Sequence, residues 1–104
     1  MKPKGRPKKV RRIEEAPPIM VFSPRGKPGR PDEVNIAYEE WEAINLADHK
    51  GLRQGKAAMH MGISRQSFGR ILSRAHRIIG DALINGKIIR IAGGSYKITK
   101  KGSI

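Results

Sequence analysis

The sequence contains no cysteine, which excludes disulfides, thiolate metal sites and cysteine catalysis. Aromatic residues are scarce, with one Trp, two Tyr and two Phe. That is too few for the stacking platform on which single-stranded RNA recognition relies. No apolar run approaches the roughly 20 residues that cross a bilayer, and the basic N-terminus leads into no apolar segment of the signal-peptide kind. The expected location is therefore cytoplasmic. Acidic charge is also short, because nine Asp and Glu stand against 22 Lys and Arg, a formal net charge of +13. Such an excess implies a polyanionic partner. Nucleic acid is the first candidate and an anionic membrane surface the second.

What the chain does have is concentrated between Arg53 and Arg77. Ala57, Ala58 and Met61 lie on one face of a first helical pattern, and Gly62 supplies a left-handed stop. Ser64 follows as an N-cap for a second, longer pattern. In it Phe68, Ile71, Leu72, Ala75, Ile78, Ile79, Ala82 and Leu83 recur at helical spacing. Ala58 is small where two helices must cross closely, and Ile63 points inward from the turn. This is the pattern of a helix-turn-helix. The outward face of its second helix carries Ser64, Arg65, Gln66, Gly69, Arg70, Ser73 and Arg74, and it contains no acid. Arginine and glutamine make bidentate contacts with guanine and adenine edges, and the first residues of a recognition helix are those that reach bases. Arg65, Gln66 and Arg70 are accordingly expected to read bases. Ser64, Ser67, Ser73, Arg74, Arg77 and Lys56 are expected to hold phosphates, which fixes register without reading sequence. Gly69 would let the helix approach the groove closely. The plainer alternative is a helical hairpin with a solvated basic face.

Residues 1–31 hold all seven prolines and ten basic residues against Glu14 and Glu15, which is +8 of the +13. Such a segment is expected to be largely extended or disordered, a basic arm using Lys4, Arg6, Lys8, Lys9, Arg11 and Arg12. Its Lys4–Lys8 and Pro28–Pro31 pieces resemble the Gly-Arg-Pro core of AT-hooks, which suits either a narrow minor groove or plain phosphate attraction. Ile19, Met20, Val21 and Phe22 form its only apolar cluster and are expected to dock on the core. A first helix is expected over about 36–49, capped by Asn35 or Asp32, with Ile36, Trp41, Ala43, Ile44 and Ala47 facing inward. Glu39, Glu40 and Glu42 in its early turns suit the helix dipole better than acid–base catalysis. Further helices are expected at about 53–61 and 64–84. Beyond them, Ile88 to Ile91 and Tyr96 to Ile98 flank Gly93-Gly94, a hairpin pattern. That hairpin would serve as a wing offering Arg90, Lys97, Lys100 and Lys101 to phosphates, as a cover for Ile78, Ile79, Ala82 and Leu83, or as a dimer interface. His49, His60 and His76 show neither metal-ligand spacing nor acidic companions, and no phosphate loop or nucleophile–base set is present. No enzyme activity, metal or cofactor is expected.

The stretch from Glu40 to Tyr96 resembles the small prokaryotic proteins of a domain of unknown function, number 134, predicted to bind DNA. The resemblance rests on Glu42-Ala43, Leu46-Ala47-Asp48, Gly51-Leu52, Gln54, Ala57-Ala58 and Met61-Gly62. It continues through Ser64-Arg65-Gln66-Ser67-Phe68-Gly69-Arg70, Gly86-Lys87 and Gly93-Gly94, with an N-terminal Arg-Pro-Lys-Lys and a later Phe-Ser-Pro. It implies a helix-turn-helix similar to region 4 of sigma-70-type factors. The chain departs from the family in having Gly55-Lys56 in place of an acidic pair, Ala37 in place of a capping Thr or Ser, and Val10 in place of a cysteine. Some members carry a further domain resembling iron–molybdenum-cofactor-binding proteins, and the chain is expected to end before it.

The expectation is thus a mainly α fold: a three-helix, sigma region-4-like domain over 32–85, a basic, partly disordered arm over 1–31, and a β-hairpin with tail over 86–104. The expected function is sequence-specific binding of double-stranded DNA by a nucleoid-associated transcriptional regulator. The alternatives are a protein-interaction adapter and a non-specific architectural nucleic-acid binder. A homodimer and RNA polymerase are further candidate partners, and no membrane is.

Overall fold

Two glycines set the ends of the longer helices in the computed structural model, which describes residues 10–26 and 29–99. Gly62 (φ 69°, ψ 33°) closes helix α2 (Gln54–Met61), and Gly86 (φ 65°, ψ 47°) closes helix α3 (Arg65–Asn85). Both lie in the left-handed region that a side chain disfavours. Ser64 caps α3 as expected, its Oγ accepting from the Ser67 amide at 3.0 Å. The first helix, α1 (Tyr38–Ile44), starts later than its apolar pattern implied and runs into a π-helical turn at Asn45–His49. Neither Asn35 nor Asp32 caps it. Ala37 occupies that position and has no side-chain oxygen to offer, so only the reverse half of a capping box forms, with the Ala37 amide donating to Glu40 Oε1 at 2.8 Å.

The core is the meeting of these helices. Ala43, Leu46, Ala57, Ala58, Met61, Phe68 and Leu72 are buried, with Ile44, Ala47, Leu52, Ile63 and Ile71 packed around them. The alanines of α2 are almost fully buried, and their small side chains let α2 lie close to its neighbours. Trp41 is only half-buried. It lines an apolar cavity of about 230 Å³ with Phe22, Ile36, Ile79 and Ile89.

Five short strands among the described residues make the architecture mixed α/β rather than mainly α. They are β1 (Arg11–Ile13), β2 (Val21–Phe22), β3 (Glu33–Ile36), β4 (Ile88–Ile91) and β5 (Tyr96–Ile98). Ile36, expected in the first helix, is the buried end of β3. The expected hairpin does not form. Although β4 and β5 flank Gly93-Gly94, β4 lies between β2 (antiparallel) and β3 (parallel), while β5 pairs in parallel with β1. The turn carries the chain from one sheet to the other, and the strands the sheets need come from the N-terminal segment. That segment is therefore no free arm from Arg11 onward, because Ile13 is 1% exposed and Pro17 is also buried. The docking of Ile19 to Phe22 is partial. Val21 and Phe22 pair with Arg90 and Ile89, yet Phe22 remains 52% exposed. The strands also cover Ile79 and Ala82 of α3, leaving Leu83 and Ile84 exposed.

The acids of α1 are not a solvated face either. Glu39, Glu40 and Glu42 are all buried, and each meets a group from elsewhere in the chain. Arg11 approaches Glu39 at 3.9 Å and Arg74 approaches Glu40 at 3.5 Å. Glu42 accepts from the Glu14 amide at 3.3 Å and from Asn45 Nδ2 at 3.2 Å. The Ser95 amide donates to Glu39 at 3.4 Å, and at Gly94 (φ 105°) a Cβ would collide with the Glu39 carboxylate. Burial is the largest influence on Glu42 and pushes its carboxyl above 4.5, against the opposing pull of those two hydrogen bonds. Because the folded-state value is raised, folding takes up a proton. The stabilisation is full below 4.5 and is lost as pH rises through the folded-state value. Urea denaturation should therefore show wild-type stability falling, relative to Glu42→Gln, as pH rises from about 4.5 to about 7. A constant difference between the two proteins would contradict this.

Candidate nucleic-acid interface

The first turns of α3 present the side chains singled out in the sequence. Ser64, Arg65, Gln66, Arg70, Ser73, Arg74 and Arg77 are exposed, Ser67 is half-buried, and Lys56 is exposed on α2. No acid occurs along α3 before Asp81. The Ser64 hydroxyl donates to Ser67 Oγ at 3.0 Å, and Arg70 Nη2 donates to the same oxygen at 3.5 Å. Capping thus orders Ser64 and Ser67 and draws Arg70 back along the helix. Among the described residues, no carboxylate lies within ion-pair distance of Lys56, Arg65, Arg70 or Arg77. Arg74 differs, being tied to Glu40 at 3.5 Å while its side chain stays 70% exposed.

Arg11 and Arg12 of the arm are brought to the same region. Arg12 lies across the turn between α2 and α3, where a Cβ on Gly62 would meet its Nε and Nη2 at 2.7 Å. Arg11 lies deeper, its side chain 16% exposed. It lines a polar cleft of about 170 Å³ with Glu39 and Glu40 of α1 and Ser67, Arg70 and Arg74 of α3. Lys4, Arg6, Lys8 and Lys9 lie outside the described residues, as does the Lys4–Lys8 piece; of Pro28–Pro31, only Gly29 onward is described.

Several residues take places that the sequence did not indicate. Arg90 is not offered to phosphates by a wing. It donates to Glu33 through Nε at 2.9 Å and Nη2 at 3.2 Å, which holds the Glu33 carboxyl below its usual value. Lys97 is exposed on β5, and Lys100 and Lys101 fall outside the described residues. His76 does have an acidic companion, Asp48, with Nε2 and Oδ2 2.7 Å apart. That contact joins the end of the π-helical turn to α3. Among the described residues no cluster of His, Asp and Glu could hold a metal ion, and no helix is long and apolar enough to cross a membrane. Gly69 is half-buried, and a Cβ there would approach Gln54 Oε1 at 3.3 Å. The glycine accommodates the start of α2 and is not simply open to an incoming ligand.

Residues 1–99 match the family described as a protein of unknown function, DUF134. The chain is 48% identical over 91 residues to a UPF0251 protein of Prosthecochloris aestuarii, covering 86% of this chain and 59% of that relative. A UPF0251 protein of Halothermothrix orenii is 48% identical over 97 residues, covering 92% and 72%. One from Methanococcus vannielii is 46% identical over 98 residues, covering 93% and 75%. The chain thus spans less than two thirds of the first of these relatives. No solved structure matches it.

Gln54 is exposed, so its amide can yield to an added methyl group. Gly69→Ala should then leave the fold intact and raise stability by up to about 1 kcal/mol through helix propensity. Thermal and urea denaturation read this directly. A loss of comparable size would show that Gln54 is held firmly against α3.

Proposed function

The chain belongs to the DUF134 family of proteins of unknown function, and we propose that it binds double-stranded DNA sequence-specifically as a transcriptional regulator. In this reading α2, the Gly62–Ser64 turn and α3 act as a helix-turn-helix of the sigma region-4 kind, with α3 entering the major groove. One observation carries it: α3 itself is basic and free of acid up to Asp81, Glu39 and Glu40 of the neighbouring helix are buried, and the exposed Asp48 meets α3 at His76. A merely solvated helix face gains nothing from keeping its charge one-signed, whereas a surface meeting phosphates does.

Within that reading the roles divide by position. Arg65 and Gln66 in the first turn, and Arg70 beyond it, read base edges. Ser64, Ser67, Ser73, Arg77 and Lys56 contact phosphates. Arg74 joins them while remaining near Glu40, which fixes where its guanidinium sits. Arg12, lying over the turn, adds positive charge at the same end of α3.

The division is testable by fluorescence anisotropy on the best-binding duplex and a scrambled copy. Arg65→Ala should cost about 1–3 kcal/mol on the preferred duplex and little on the scramble, whereas Arg77→Ala should weaken both alike. Equal losses for Arg65→Ala on the two duplexes would overturn its base-reading role.

A further inference from the structure

The cleft lined by β1, α1 and α3 has features that base reading does not use. Three guanidinium groups from two separate elements converge on it, and two carboxylates do not balance them. Glu40 is already committed to the Ala37 amide and to Arg74. Glu39 accepts from the Ser95 amide, and its nearest approach to Arg11 is 3.9 Å, beyond hydrogen-bond reach. Arg11 is therefore largely buried with Nε and Nη1 lacking any acceptor among the described residues, and Glu39 Oε1 beside it is likewise without a donor, an arrangement that is unfavourable for charged groups. Across the cleft, Ser67 Oγ accepts from both Ser64 and Arg70. Its own hydroxyl hydrogen is left to donate.

We propose that this cleft is a site for one tetrahedral oxyanion, a phosphate group, held by Arg11, Arg70 and Ser67 with Arg74 at its rim. Charge-assisted hydrogen bonds from guanidinium to phosphate are short and strong, and an anion supplies the acceptor that Arg11 lacks. All three α3 residues involved, Ser67, Arg70 and Arg74, also belong to the proposed DNA face, and a backbone phosphate held here would take Arg70 from base reading to phosphate contact. The phosphate can therefore come from a duplex backbone or from a free phosphate or phosphate ester. The site does not depend on the DNA reading.

The test follows arginine side-chain Nε–H signals by NMR as inorganic phosphate replaces chloride at constant ionic strength. The Arg11 and Arg70 signals should shift and saturate while that of Arg25, exposed and outside the proposed binding face, stays still. Arg70→Ala should weaken phosphate binding at least about fivefold, and Arg25→Ala should leave it nearly unchanged. Unsaturating shifts of similar size at all three arginines would reduce the effect to general attraction by a basic surface, and the site would be lost. A duplex is then added to the phosphate-free protein. Movement of Arg11 with both probes assigns the site to a backbone phosphate, and movement with phosphate alone assigns it to a free phosphate group. Duplex binding with Arg11 unmoved by either would remove this site and leave the DNA reading intact.

Discussion

The placement of three carboxylates inside α1 is the constraint on which the rest of the structure depends. Burying Glu39, Glu40 and Glu42 within one short helix is unfavourable unless each finds hydrogen-bonding or charged partners. Those partners come from Arg11 and Glu14 near one end of the chain, Ser95 near the other, and Arg74 on α3. Meeting them draws both ends of the described chain onto the helices. A core of small alanines and a few large side chains would leave a domain of this size short of buried surface. Strand pairing between the two ends supplies additional order around it.

Legibility followed the range of the interactions. The stop at Gly62, the cap at Ser64 and the burial of Ala57, Met61 and Phe68 depend on neighbours within a few residues. The α2–α3 pair could accordingly be read almost residue by residue. The strands could not. Arg11–Ile13 pairs with Tyr96–Ile98, and Glu33–Ile36 pairs with Ile88–Ile91, across separations that no local pattern records. Gly93-Gly94 signalled a turn correctly but not its partners. There the backbone makes room for Glu39, and the Ala92 and Tyr38 neighbourhoods are tied by the Ala92 amide to Ile36 and the Tyr38 amide to Gly93. A proline-rich basic segment reads as disordered on composition, yet Ile13 and Pro17 were enough to seat part of it.

The same division holds at the candidate site. Exposure and charge of Arg65, Gln66 and Arg70 follow from helical periodicity, so that face was visible in the sequence. Local rules assigned Glu39 and Glu40 to the helix dipole, and only the fold shows them turned inward against Arg11 and Arg74. Gly69 was assigned to the outward face, but its close neighbour Gln54 belongs to a different helix. His76 lacked a companion in sequence because Asp48 reaches it through the widened π-helical turn. The cleft containing Arg11 had no sequence signal, since it exists only where side chains of β1, α1 and α3 come together.

The most direct measurement of the central claim is selection from a random duplex library, with binding of the enriched duplexes followed across a salt series. The account predicts an enriched motif whose affinity drops on scrambling, together with a salt dependence reflecting several phosphate contacts. Binding with no enriched motif, fading steeply as salt rises and indifferent to sequence, would contradict it and leave the basic face of α3 as a phosphate-binding surface alone.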